Sequence, residues 1–263
     1  MARIGAIFTP DHPPEELREA VTAAEEAGVG ELWVWEDCFR ESAFATVGAA
    51  LAWTKHLRIG IGIAPMPLRN VAVTAMEIAT LERMFPGRLL PGVGHGVLSW
   101  MGQVDARVSS PLTLMREYVP ALRALLAGDE VTVTGRYVTL DGVRLDWPPS
   151  TAPAVYAAGE GPKTLALTGE VADGTVLVTG VPERIAEQAR IARAARAEAG
   201  RGGHHDVVAY VAWDKAMDAG TTARTYLEAG ADAAIFQPGE GNTDLAGFYA
   251  AIGTAAREFD ASG

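Results

Sequence analysis

Arg3-Ile4-Gly5-Ala6-Ile7-Phe8-Thr9-Pro10-Asp11-His12-Pro13-Pro14 opens the chain with an apolar run that breaks where the prolines begin. The run reads as a strand. A helix follows from about Glu15 to Ala27, and Gly28 stands just past its end, where glycine tolerates the positive φ of a helix stop. In a doubly wound nucleotide-binding sheet, a glycine fingerprint comes directly after the first strand. Here Phe8-Thr9-Pro10-Asp11 contains no glycine. That arrangement is therefore set aside in favour of the other common way to cover a parallel sheet with helices, a closed barrel.

The same alternation runs outward from this start. Glu31-Leu32-Trp33-Val34-Trp35 is a second strand that exits into Glu36-Asp37-Cys38-Phe39. A helix from about Ser42 to Trp53 leads into Leu57-Arg58-Ile59-Gly60-Ile61-Gly62-Ile63. Another, from about Val71 to Met84, precedes Arg88-Leu89-Leu90-Pro91-Gly92-Val93-Gly94, in which Pro91 is out of place for a central strand. A connection from Leu98 to Ser110 and a helix from about Leu112 to Leu126 come next. Val131 to Leu145 then alternates with period 2 around Gly135 and Asp141-Gly142, which predicts a small antiparallel hairpin (about 130–146) inserted after the fourth helix. Trp147-Pro148-Pro149 ends it. The remaining strands are Ala154–Ala158, Gly174–Val178, Val207–Trp213 and Ala233–Phe236. Helices at about Glu183–Ala199, near Thr222–Ala229 and at about Leu245–Phe259 separate and follow them. Eight strands with their helices in 263 residues match the ~250 residues of a (β/α)8 barrel. The expected fold is α/β, a (β/α)8 TIM barrel with a β-hairpin insertion, in one domain over 1–263.

Composition narrows the function. The 33 acidic residues against 22 Lys+Arg give a net charge of −11. With no basic runs or interleaved aromatics, this argues against a nucleic-acid partner. The single cysteine, Cys38, has no internal partner and fits a reducing, cytoplasmic setting. No apolar stretch approaches the ~20 residues that span a membrane, and the N-terminus lacks a secretory h-region. His204-His205 are adjacent without a third ligand at useful spacing, so no metal is expected. Arg184, Arg190, Arg193 and Arg196 read as a solvated helix face. The absence of Gly-x-Ser-x-Gly, Walker and His-Glu-x-x-His motifs removes the corresponding hydrolase, nucleotide-triphosphatase and zinc-protease readings.

A barrel carries its active site at the C-terminal ends of its strands. Two glycine-rich exits stand out, Gly92-Val93-Gly94-His95-Gly96 and Ala158-Gly159-Glu160-Gly161-Pro162-Lys163. The second runs into a helix with Pro162 at its first position, leaving N–H groups and the positive helix end near Lys163 for a phosphate. The same loop also reads as an ordinary βα turn. At the second strand's exit, Asp37 reads as an acid/base or a helix cap, and Cys38 as a thiol or a small hydrophobe.

Taken in order, these motifs resemble the luciferase-like superfamily of flavin- and deazaflavin-dependent oxidoreductases over nearly the whole chain. The resemblance rests on Leu32–Asp37, Leu57–Ile63 through Arg69, Pro86-Gly87-Arg88 with Gly92–Gly96, and above all Tyr156–Leu165 continuing through Gly169-Glu170-Val171-Ala172-Asp173-Gly174. The last stretch is similar to the methylenetetrahydromethanopterin reductase branch, which uses coenzyme F420; FMN users are close relatives. The resemblance implies hydride transfer, or O2-dependent monooxygenation, on a small organic molecule. It implies a cofactor ring over a non-prolyl cis peptide at Gly62-Ile63, lined by Gly94, His95 and Gly96. It also implies a phosphate held by Ala158, Gly159, Glu160, Gly161 and Lys163, with Thr179 and Gly180 completing the pocket. Asp37 and Cys38 are then the candidate catalytic residues, with Trp35, Met66 and Trp100 as pocket walls, and members of the family usually pair as homodimers. The helix near Leu112–Leu126 offers a surface for such pairing.

Two departures matter. The family's sugar-phosphate dehydrogenases carry a His where Cys38 stands and a Glu where Val97 stands, so both acid/base partners of that reaction are missing here and that substrate class is rejected. The same gaps admit a non-catalytic flavin-binding paralogue. A barrel enzyme that takes a phosphorylated metabolite through the Gly159 loop is a third reading.

Overall fold

The computed structural model describes residues 2–178, 180–239 and 241–262. In chain order it contains β1 (Arg3–Phe8), α1 (Leu17–Glu26), β2 (Glu31–Val34), α2 (Ala43–Trp53), β3 (Arg58–Ile61), β4 (Ala64–Pro65), α3 (Val71–Met84), β5 (Leu89–Leu90) and β6 (Gly92–Gly94). Then come α4 (Leu98–Gln103), α5 (Pro111–Ala127), β7 (Val131–Thr134), β8 (Thr139–Val143), β9 (Tyr156–Ala158), α6 (Pro162–Val171) and β10 (Gly174–Leu177). The chain ends with α7 (Pro182–Glu198), β11 (Asp206–Ala212), α8 (Ala219–Glu228), β12 (Ala233–Gln237) and α9 (Leu245–Ser262).

One ten-stranded sheet runs in the order β4-β6-β9-β10-β11-β12-β1-β2-β3-β5, and its pairings are parallel. The sheet curls strongly. β3 and β4 are separated only by Gly62-Ile63, and β5 and β6 only by Pro91, yet β3 pairs with β5 and β4 with β6. Pro91 accounts for the second break. It has no N–H to give the ladder, although its carbonyl still accepts from Tyr156 N at 2.8 Å.

Alternation along each strand divides the apolar side chains between the two faces. In β1, Ala6 and Phe8 join the large cluster under the helices, whereas Ile7 belongs to a second cluster on the concave face with Trp33, Tyr156, Val208, Tyr210 and Ile235. The concave cluster is aromatic: Trp33 meets Tyr156 and Tyr210 edge-on at 5.7 and 6.3 Å. Its rings form the base on which the strand-end cavity rests.

Outside the sheet, β7 and β8 pair antiparallel through Val133↔Leu140 and Thr134↔Thr139. Glu117 of α5 holds the turn between them, accepting from the backbone of Arg136, Tyr137 and Val138 at 2.8–3.1 Å. α4 falls within the connection that the sequence left without structure; its six residues are too few for a periodic signal.

Two expectations are corrected. The apolar residues of α5, Leu114, Met115, Tyr118, Val119, Leu122, Leu125 and Leu126, are all buried, because they pack under the helical layer and are not left for a partner. The large apolar side chains left outside include Trp53 of α2 and Val73, Met76 and Met84 of α3. Arg193 and Arg196 do not belong to a solvated face either. Arg193 pairs with Asp232 at 2.8 Å, and the buried Arg196 donates to the carbonyls of Ala172 and Gly202. Among the described residues, no helix is long and apolar enough to cross a membrane.

Candidate active site

A cavity of about 570 Å³ opens where the strands end. Trp35, Glu36 and Asp37 enter it from the exit of β2, Gly62 and Ile63 from between β3 and β4, and His95, Gly96 and Val97 from the exit of β6. Ala158, Gly159, Glu160 and Gly161 come from the exit of β9, Thr164 from α6 and Val178 from the exit of β10; Pro65 and Trp100 complete the wall.

Its floor is built from glycine and tyrosine. The Gly62-Ile63 peptide is cis, and the Tyr210 hydroxyl donates to the Gly62 carbonyl at 3.1 Å. A Cβ on residue 62 would lie 1.7 Å from the Tyr210 hydroxyl oxygen, so no other residue fits there without displacement. Trp35 stacks on Tyr210 at 6.0 Å with 25° between the rings. Burial pushes the Tyr210 hydroxyl well above its ordinary 10, so it stays a neutral donor. Gly94 makes room from behind: a Cβ there would meet Ile63 Cγ1 at 2.8 Å.

One side of the cavity is acidic. Arg69 donates to both carboxylate oxygens of Glu36 and lies 3.4 Å from Glu77. Glu36 also accepts from Ala43 N at 2.9 Å, at the start of α2. Two such charge-assisted bonds fix this carboxylate as a structural anchor. Asp37 is different. Burial raises its carboxyl pKa, Arg40 opposes the rise and Asp11 adds to it. The Cys38 thiol is also pushed up, by burial and then by the carboxylates of Glu36 and Asp37. It is therefore a thiol and not a thiolate at neutral pH, which removes its nucleophilic form. The Cys38-Phe39 peptide is cis as well.

The opposite side carries the start of α6. Gly161 occupies the N-cap without a side-chain cap and Pro162 follows, so the next N–H groups, at Lys163 and Thr164, have no partner a turn earlier. The helix dipole adds positive potential there. Between the two sides lies His95. Both its ring nitrogens are shut off from solvent without a hydrogen-bond partner. Burial lowers its pKa below the ordinary 6.5, so the ring is neutral at pH 7.

Of the residues singled out in the sequence, Trp35, Asp37, Gly62, Ile63, His95, Gly96, Trp100, Ala158, Gly159, Glu160 and Gly161 come together around this cavity. Cys38, read from the sequence as a candidate catalytic residue, does not line it, and neither do Met66, Gly94, Lys163 and Gly180. Gly94 supports Ile63 from behind, and Lys163 is exposed at the start of α6. Gly180 turns its carbonyl to the Tyr226 hydroxyl at 3.0 Å. Thr179 lies outside the described residues. Met66 is corrected: the short helical turn Met66–Leu68 buries its side chain against a second cavity of about 320 Å³, shared with Arg69, Tyr118 and Tyr137. The sequence reading placed Glu36 at the second strand's exit and Val97 after the glycine loop without a wall role, and it missed Pro65, Thr164 and Val178 as wall residues and Tyr210 as the floor support. Thr164 had a signal, three residues past an uncapped glycine; Tyr210, an aromatic inside a strand, had none.

Elsewhere, His204, Asp206 and Asp232 bring ligand atoms within 4.8 Å of one another. Their carboxylates already accept from Arg3 and Tyr156, and from Arg193 and His204, respectively.

Comparison with known proteins identifies the family and the fold. A family model described as luciferase-like monooxygenase matches residues 1–251. A 5,10-methylenetetrahydromethanopterin reductase of Methanolobus tindarius is 28% identical over 216 residues, 82% of this chain and 66% of that protein. An F420-dependent glucose-6-phosphate dehydrogenase of Nakamurella multipartita is 27% identical over 184 residues, 64% of this chain and 53% of that protein. This chain thus spans a little under two thirds of the first relative's length and about half of the second's. Among solved structures, the coenzyme F420-dependent tetrahydromethanopterin reductase of Methanopyrus kandleri superposes with a TM-score of 0.84 at 17% identity, over 98% of this chain and 99% of that one. An F420-dependent secondary alcohol dehydrogenase, in complex with an F420-acetone adduct, gives 0.84 at 22% identity over 97% and 98%. At such identities the superpositions show a shared fold.

Proposed function

This chain belongs to the luciferase-like monooxygenase family, and from that premise we propose that it is an oxidoreductase holding the deazaflavin coenzyme F420, with FMN as the second choice, in the strand-end cavity. The double pairing of β3 with β5 and β4 with β6 supports reading the sheet as a closed eight-stranded barrel. In that reading 58–65 and 89–94 are each one strand broken once. The chain over 1–263 is one unit, with β7 and β8 as an insertion.

The residues present fit such a cofactor. Its flat ring finds a glycine floor over Tyr210, with apolar walls from Trp35, Ile63, Pro65 and Val178. Its phosphate finds the uncapped start of α6 beside Gly159 and Gly161, with Lys163 at the second helical position. A cavity of about 570 Å³ lies within the ordinary range for a cofactor or small ligand. When bound, the reduced cofactor supplies the hydride, and in the FMN form also the reaction with O2. The chain's own residues orient and exclude water: Tyr210 holds the Gly62 carbonyl, Gly94 leaves room for Ile63, and Trp35 closes one edge. Asp37 offers a hydrogen bond to a small-molecule substrate beside the ring, and two copies of the chain act as a homodimer.

The observation that carries this reading is the coincidence, in one cavity, of the glycine floor and the uncapped helix start. Parallel fluorescence titrations with F420 and FMN test it. Tight F420 binding with weak FMN binding is expected, and binding of neither ends the reading. Turnover separates an enzyme from a binding protein, because a protein that only stores the cofactor never changes its oxidation state with any acceptor. Replacing Asp37 by Ala removes a hydrogen bond to a charged group and is expected to lower turnover about 10- to 100-fold while leaving the cofactor affinity within about threefold; unchanged turnover would remove Asp37 from the reaction.

A further inference from the structure

Charge sets what the β2 side of this cavity accepts. Glu36 and Asp37 face it as adjacent acids. The cations beside them are already matched: Arg69 serves Glu36 and Glu77, and Arg40, which attracts Asp37, is paired with Asp11. That leaves Asp37 as the surplus charge on the β2 side, while Glu160 stands as a further acid at the exit of β9. Among the described residues lining the cavity there is no Lys or Arg. The indole rings of Trp35 and Trp100 share this wall, with Val97 beside them. In a recess partly closed to water, a second negative charge is repelled more strongly than in bulk solvent. An apolar body gains by leaving water there.

We infer that the substrate of the oxidoreductase proposed above is a largely apolar molecule without negative charge whose one polar group hydrogen-bonds Asp37, and that carboxylates and phosphates are turned away. The inference rests on that functional reading and widens its substrate limit from sugar phosphates to anions as a class. The cofactor's own anionic end is not excluded by it. That end is assigned to α6 at the exit of β9, which 58–65 and β6 separate from β2 in the sheet order.

Benzamide, benzoate and benzamidinium share a planar shape and differ in charge, which makes them the probes. The full-length protein, first without cofactor and then loaded with F420, is titrated with each while the indole N–H signals of Trp35 and Trp100 are followed by NMR. Benzamide is expected to bind at least about tenfold more tightly than benzoate. Asp37→Asn is expected to close most of that gap, and so is added salt in the wild type, which needs no variant to fold. Equal affinity for benzoate and benzamide overturns the inference, as does an absence of any shift with benzamide. Benzamidinium is expected to bind at least as tightly as benzamide, because the same surplus acid attracts it; binding weaker than that of benzoate overturns the inference too. Because the first titration uses protein without cofactor, failure of F420 binding and failure of the charge preference are separate results.

Discussion

Gly62 has the floor of the cavity built against it. Gly62→Ala drives a methyl group into the Tyr210 hydroxyl and is expected to cost about 1–3 kcal/mol of stability, as overpacking does. Tyr210→Phe removes the obstructing oxygen and, with it, the bond to the Gly62 carbonyl. The double variant is therefore expected to be more stable than the sum of the two single changes. Urea unfolding of the four proteins measures this, and strict additivity would show that the two residues do not meet. His205 gives a second prediction. It is 1% exposed, shares a 2.7 Å hydrogen bond with Thr175 Oγ1, and has its pKa lowered to about 4 by burial first and then by Arg196, Arg201 and Arg193, against Asp173. The unfolded chain takes up this proton near pH 6.5 and the folded one only near 4. Its stabilising effect is thus complete above about 6.5 and lost as pH falls toward 4, by about 3 kcal/mol. His205→Gln is expected to flatten stability between pH 6.5 and 4.5, and an unchanged pH slope would contradict the assignment. At this scale the sequence was readable where glycines clustered at a strand exit, as in the Gly159–Gly161 loop, whereas Gly62 was singled out by the family resemblance alone. The sequence was silent about Tyr210 and His205, whose importance comes from neighbours distant in the chain.

Among elements, the two-stranded sheet β7–β8 hangs on one carboxylate. Glu117 accepts three successive backbone N–H groups at its turn, and hydrogen bonds to a charged group are worth about 1.5–3 kcal/mol each where they are shielded. Exposure of Glu117 reduces this, so Glu117→Ala is expected to speed amide exchange over 131–143 by roughly tenfold and to leave β1, β11 and β12 unchanged. Equal exchange in the variant would mean that the strand pairing stands without the carboxylate. Strands and helices with strong periodicity were legible: the sequence reading of α3 matches its observed span, and that of α5 falls one residue short at each end. The broken strand at Pro91 was legible as an anomaly, though its outcome, two short strands in one line, depends on pairing partners that periodicity does not carry. Which face of α5 is covered was not legible, because an amphipathic helix looks the same whether a sheet or a second subunit covers it.

For the whole molecule, the outer surface has one unusual face. α2 has no charged residue along its eleven positions, and beside it Val73, Met76 and Met84 of α3 are 47%, 57% and 63% exposed. Exposed apolar side chains on neighbouring helices suit an association site. The homodimer proposed above is therefore expected to pair through α2 and α3, and light scattering is expected to give twice the chain mass. Met76→Glu is expected to shift the equilibrium to monomer; a monomeric wild type, or a dimer indifferent to the change, would contradict it. The parallel α/β sheet and a cavity at its strand ends were implied by the strand–helix order, since that order places the loops after the strands at one end. The pairing face was not, because exposure is a property of the assembled layers.

The central claim is that a deazaflavin ring lies on Gly62-Ile63 with its phosphate at the start of α6. A crystal structure of the protein soaked with F420 tests it most directly. It is expected to show the ring against Ile63 beside Trp35 and the phosphate within hydrogen-bond reach of the Thr164 N–H. A ligand bound elsewhere, or a phosphate turned toward Asp37, would contradict the account.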